Sequence, residues 1–178
     1  MAFYGLATYL VIIVSFNLPF LMKEYGFTSG NSGIMISLFF LAIMTPGFFL
    51  TPIVDWAREK TFLYSLLSIA AGIVLILIAP REWLIAPGCI LIGLGYGVIQ
   101  PVVYDKTTQT AIPKKATLAL AFVMAMNYVA ILLCPFIIDV VSDLFKDKSQ
   151  HFPFIFNLAI ALVASIWAYT KRKSFIFN

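Results

Sequence analysis

Six apolar runs separated by short polar connections constrain this chain more than any other feature. They cover residues 2–22, 30–54, 61–79, 83–104, 116–138 and 152–170. A helix needs about 20 apolar residues to cross a bilayer, and each run is long enough. Inside lipid the backbone has to satisfy its own hydrogen bonds, so runs of this kind are helices. The expected fold class is an all-α membrane protein, with a single six-helix transmembrane bundle over residues 1–178. Short connections make consecutive helices antiparallel neighbours.

Composition agrees with the pattern. Charged residues make up 11% of the chain, against about 25% in a soluble domain. The net charge of +4 invites a nucleic-acid partner. The basic residues, however, lie at the ends of the apolar runs and not along one face, so no nucleic acid is expected and the charge is read as topology-setting. Cys89 and Cys134 fall inside apolar runs and read as small buried hydrophobes. Their spacing offers no metal motif and little support for a disulfide. The N-terminus lacks a basic start and an Ala-x-Ala-type cleavage site, so no removable signal peptide is expected.

The basic residues also give an orientation. One set of connections holds Arg58, Lys60, Lys106, Lys114, Lys115, Lys171, Arg172 and Lys173; the other holds Lys23, Arg81, Lys146 and Lys148. The richer side is expected to be cytoplasmic, which places both termini inside. Acidic Glu24, Glu82, Asp143 and Asp147 fall on the poorer side. Trp56, Trp83 and Trp167 sit at span ends, where interfacial aromatic rings belong.

The fourth run contains Gly93-Leu94-Gly95-Tyr96-Gly97-Val98-Ile99-Gln100-Pro101-Val102-Val103-Tyr104-Asp105. Glycine weakens a helix by about 1 kcal/mol relative to alanine. Pro101 removes a backbone donor, and Gln100 sets an amide beside it. The stretch is expected to face other helices or a wet cavity. Two readings are open: a helix that lines a solute pathway, or close helix packing through small residues.

The six runs also divide into two triplets. The first helix of each carries an amide just before a proline, Asn17-Leu18-Pro19 and Gln100-Pro101. The second carries a late proline after a small residue, Thr45-Pro46 and Cys134-Pro135, whereas Pro80 and Pro153 sit at span ends. Three-helix units of opposite orientation form a 3+3 inverted repeat, and interrupted helices at matching positions mark the binding site in such repeats.

These features resemble the C-terminal half of a major facilitator superfamily transporter, over essentially the whole chain. Gly93-Leu94-Gly95-Tyr96-Gly97 with Pro101 looks like the family's glycine-rich tenth helix, and Ala130 with Cys134-Pro135 resembles its eleventh. Residues Thr51 to Lys60 resemble the cytoplasmic Gly-x-x-x-Asp-Arg-x-Gly-Arg-Lys loop. Asp55 and Lys60 hold their places; Thr51 stands for the first glycine, Trp56 for the first arginine, Arg58 for the second glycine and Glu59 for the next arginine. The resemblance implies a working unit of twelve helices, and so a partner: a matching N-terminal six-helix half or a second copy of this chain. Met1 directly before a spanning helix favours a fragment of a longer transporter. The resemblance also implies that the first, second, fourth and fifth helices line or flank a cavity.

Candidate solute-binding residues on those helices are Asn17, Gln100, Asn127 and Tyr128. Asn127 near mid-membrane fits packing through an interhelical hydrogen bond equally well. Asp55, Arg58 and Lys60 are expected to form a conformational loop. Ser65 and Ser68 can bond back to their own helix, and Asn157 lies near the start of the sixth span. Asp105 and Lys106 read as a helix-end ion pair more readily than as a gate. Asp139 reads as an interface carboxylate, and His151 sits in a loop, where it is no proton relay.

The membrane interior holds no carboxylate, and the chain lacks His-Glu-x-x-His and has one histidine. An enzyme is not expected, nor a cofactor or a metal. The leading reading is a secondary transporter half that moves a small organic or drug-like solute across the cell membrane by alternating access, with uptake and efflux both open. The alternative is a non-transporting scaffold or assembly subunit, which would not need paired Asn/Gln-Pro positions.

Overall fold

A computed structural model describes residues 2–78, 81–146 and 148–171. Ala79, Pro80, Asp147, Arg172 and Lys173, which entered the expectations above, lie outside the described residues.

Seven α-helices account for nearly all of the described chain: α1 Ala2–Glu24, α2 Ser29–Met44, α3 Leu50–Ala57, α4 Thr61–Ile78, α5 Glu82–Thr110, α6 Ala116–Phe145 and α7 Phe152–Thr170. Six are long and apolar enough to cross a membrane when α3 is counted with α4. The chain is therefore a multi-pass integral membrane protein of all-α class. One end of the bundle, called here the basic end, gathers the start of α1, the α3–α4 junction, the α5–α6 connection and the end of α7. Arg58, Lys60, Lys106, Lys114, Lys115 and Lys171 mark it. The far end gathers the other connections.

The packing partners carry the 3+3 inverted repeat. The triplets are α1, α2, α4 and α5, α6, α7. Helix α1 of the first packs on α6 of the second, and α5 of the second packs on α2 of the first. The two third helices, α4 and α7, pack on each other, as do α1 and α5. Exchanging the triplets therefore maps these contacts onto themselves.

Three prolines expected to interrupt helices do not. Pro19, Pro101 and Pro135 lie inside unbroken helices α1, α5 and α6. A proline φ near −65° is already helical, so the loss is one hydrogen bond. Unwinding in lipid would strand several backbone groups instead. Pro46 behaves differently: α2 stops at Met44 and the chain enters a 3-10 turn at Thr45–Phe48.

Boundaries shift with it. The second span ends near Phe48 instead of continuing through 54. Residues expected as a connection form α3, followed by a tight turn at Arg58–Lys60. Helices α5 and α6 outrun their expected ends at 104 and 138, reaching Thr110 and Phe145.

The core follows from the same pairings. Leu10, Ile13, Val14, Leu18 and Leu21 of α1 pack with Leu66, Ile69 and Ile73 of α4 and Ile85, Ile92 and Ile99 of α5, all fully buried. Cys89 and Cys134 are buried free thiols, as small apolar residues would be. Ser68 departs from the expectation of a bond within its own helix: its hydroxyl donates to the Leu91 carbonyl of α5 at 2.7 Å. Helices α2 and α6 stand apart. Only 28% and 17% of their apolar windows are buried, against 44–61% in the other spans.

Candidate functional site

The glycine stretch of α5 is a packing seam on two sides. A Cβ at Gly93 would meet the Phe39 carbonyl oxygen of α2 at 2.5 Å, and one at Gly95 would meet the Ser65 carbonyl oxygen of α4 at 2.5 Å. Gly97 approaches the Ile43 carbonyl of α2 still more closely. Alternate glycines thus let α5 sit against α2 and α4 at backbone contact. The packing reading accounts for the glycines; the polar residues between and after them face other helices.

Those polar residues meet α1 and α6 in one hydrogen-bonded cluster. The Thr8 hydroxyl lies 2.6 Å from Asn127 Oδ1, 2.8 Å from Tyr96 Oη and 3.0 Å from the Tyr4 carbonyl oxygen. Tyr96 Oη donates toward Asn127 Oδ1 at 3.0 Å and lies 3.3 Å from Tyr4 Oη. Tyr4 Oη reaches Tyr104 Oη at 3.0 Å, and Gln100 Nε2 donates to Tyr104 Oη at 3.4 Å. The rings of Tyr4 and Tyr96 stack with centroids 6.2 Å apart, and Tyr104 stands edge-on to Tyr4.

Local sequence explains the alignment. Tyr4 and Thr8 are four residues apart on α1; Tyr96, Gln100 and Tyr104 recur at intervals of four on α5. Such spacing puts side chains on one helix face. Tyr4, Thr8 and Tyr96 are buried, while Gln100, Tyr104 and Asn127 are half-buried and form the rim. Each hydroxyl has one proton to give. Thr8 therefore donates either to Asn127 or to the Tyr4 carbonyl, and the cluster admits more than one proton arrangement. It is a neutral surface of hydroxyls, amides and aromatic rings.

Two of the four expected solute-binding residues, Gln100 and Asn127, are joined through Tyr104, Tyr4 and Tyr96. Asn17 is not with them. It lies nine residues beyond Thr8, about 13 Å along α1, in a polar recess at the far end. That recess, about 360 Å³, is also lined by Asp139, Ser142, Asp143, Lys148, Ser149 and Gln150. Tyr128 follows Asn127 on α6 but is 69% exposed, on the open side of that helix. The sequence reading missed Tyr4, Thr8, Tyr96 and Tyr104. Their four-residue spacing was the available signal.

Asp55 and Arg58 line a larger cavity, about 520 Å³, at the basic end, together with Val54, Glu59, Thr61, Phe62, Val102 and Lys106. Lys60 is exposed outside it. Arg58 has φ +45°, a backbone conformation that favours glycine, and it occupies the position where the resembled loop has one. Asp105 and Lys106 point to separate partners: Gln109 Nε2 donates to Asp105 at 2.7 Å, and the Lys106 ammonium lies 5.3 Å from the centre of the Phe62 ring. Among the described residues no group of three or more His, Cys, Asp or Glu is placed to hold a metal.

The family model described as Major Facilitator Superfamily matches residues 1–175. No curated protein matches the chain. Six membrane-spanning helices, the inverted-repeat packing and a match along almost the entire length agree, and the chain belongs to the major facilitator superfamily, as a membrane-embedded transporter of that type.

Proposed function

We propose that this chain supplies one six-helix half of a secondary active transporter that moves a small organic or drug-like solute across the cell membrane by alternating access. The observation that carries the reading is the neutral cluster of Tyr4, Thr8, Tyr96, Gln100, Tyr104 and Asn127. It brings three helices together inside a membrane interior that carries no formal charge. Polar groups are costly in lipid and are kept where they bind or move something.

Gln100 and Asn127 form the binding rim in this proposal, and Tyr128 extends it toward the partner. Asn17 serves the far-end recess, where solute enters or leaves. Asp55, Arg58 and Lys60 act as the conformational element at the basic end, which faces the cytoplasm with both termini. The matching six-helix half, or a second copy, packs on α2 and α6. Those helices leave Phe40, Leu41 and Met44, and Phe122, Leu132 and Phe136, exposed.

Reconstitution in liposomes tests this with a panel of labelled small organic solutes. The chain paired with a matching half is expected to move at least one of them. Asn127→Leu or Gln100→Leu in the pair should cut that flux at least tenfold with insertion intact. Flux through the chain alone as a monomer would refute the half-transporter reading.

A further inference from the structure

We infer that His151 is a pH-dependent clasp that ties the start of α7 to the end of α1 and controls access to the Asn17 recess. His151 Nδ1 lies 3.3 Å from Tyr25 Oη, and Nε2 lies 4.0 Å from Glu24 Oε1. The Tyr25 and His151 rings meet edge-on at 5.3 Å.

Both sides of the contact are anchored. The His151 carbonyl accepts the N–H groups of Phe154 and Ile155 in the first turn of α7, and the Tyr25 N–H donates to the Leu21 carbonyl of α1. The residues just before His151, Lys148, Ser149 and Gln150, form one wall of the recess whose other walls are Asn17 of α1 and Asp139, Ser142 and Asp143 of α6. Whatever tightens His151 against α1 therefore draws that wall over Asn17.

The chemistry fixes the direction. With neutral imidazole, the Tyr25 hydroxyl donates to Nδ1, and Nε2–H faces Glu24. On protonation Nδ1–H donates to the Tyr25 oxygen, and the Nε2–H contact becomes an ion pair with Glu24. Both contacts survive, and the second strengthens.

Other charges nearby are few. Lys148 pairs with Asp143 at 3.9 Å, both well exposed. The N-terminal end of α7 opposes an imidazolium, but with only about half an elementary charge, against a full charge on Glu24. Burial and then the Glu24 charge raise the Tyr25 pKa above its ordinary value, so its hydroxyl stays protonated throughout. Histidine is the side chain suited to change charge near physiological pH, so acidification tightens the clasp and a rise in pH loosens it.

Cysteine accessibility tests this without knowledge of the solute. In a background with Cys89 and Cys134 replaced by alanine, Asn17→Cys and, separately, exposed Ser29→Cys are labelled in the full chain with a charged methanethiosulfonate reagent. The ratio of the two rates cancels the pH dependence of thiolate formation. Between pH 7.5 and 5.5 that ratio is expected to fall at least threefold. It should stay flat in His151→Gln and in Glu24→Gln; should the first not insert, the second decides. A flat ratio in the unmodified clasp, or a fall that persists in either variant, overturns the proposal.

Discussion

Gly93 and Phe39 are in contact through their backbones, so close that a methyl group at position 93 would lie 2.5 Å from the Phe39 carbonyl oxygen. Backbone on this side cannot swing away as a flexible side chain would. Gly93→Ala is expected to destabilise the bundle by about 1–3 kcal/mol, the usual cost of overpacking. Gly33 on α2 offers the contrast. A Cβ there meets nothing within 4 Å, so Gly33→Ala should be neutral or gain up to about 1 kcal/mol of helix propensity. Thermal unfolding in detergent distinguishes them. Equal effects at both positions would remove the packing account.

The hydroxyl cluster should behave as one unit. Thr8 and Tyr96 share Asn127 Oδ1 as acceptor and also contact each other. Interhelical hydrogen bonds in membranes average about 0.6 kcal/mol. Thr8→Val and Tyr96→Phe should therefore each cost about 0.5–1.5 kcal/mol, with a coupling of at least about 0.5 kcal/mol in the double mutant. Additive effects would mean that the contacts do not act together.

Arg58 pays for its backbone. With φ +45° and ψ −125° it lies outside the left-handed helical region, in backbone space that costs a residue with a Cβ on the order of 1–3 kcal/mol and that glycine adopts without that penalty. Arg58→Gly is expected to raise the unfolding temperature, whereas Arg58→Ala should not. If transport is preserved in the alanine variant, the side chain has no part in the conformational element.

Topology follows from the basic end. Reporter fusions after Lys115 and after Lys148 should register opposite sides of the membrane, with Lys115 cytoplasmic. The helix between them, α6, spans Ala116–Phe145. The same side at both points would contradict a spanning α6.

Much of this architecture is legible in the sequence because lipid leaves so few options. Charge-free apolar runs have to be helices, and the doubled proline pattern exposes the repeat. The prolines misled about continuity for a reason of the same kind. In water a proline breaks a helix at little cost, since solvent takes the freed groups; within α1, α5 and α6 no solvent offers that exit. The cluster was harder to read. Asn127 and Gln100 stand out as amides among apolar residues, but tyrosine and threonine blend into a membrane helix. Only the meeting of α1, α5 and α6 in space gives Tyr4, Thr8, Tyr96 and Tyr104 a common purpose. Asn17 matched Gln100 in its position before a proline. Because its helix runs the other way, that match set it at the opposite end of the bundle.

The interior of this bundle is electrically blank. From Ala2 to Met22, through α2, α4 and α7, and between Trp83 and Tyr104 and Ala116 and Ile138, no side chain carries a formal charge. A charge that crosses the membrane field gains or loses about 2.3 kcal/mol per 100 mV. A movement of these segments across the field would carry no formal charge of their own. If the proposed alternating-access cycle holds, these uncharged segments add nothing to its voltage dependence, and a neutral solute carried without an ion would be exchanged at a rate that depends little on membrane potential.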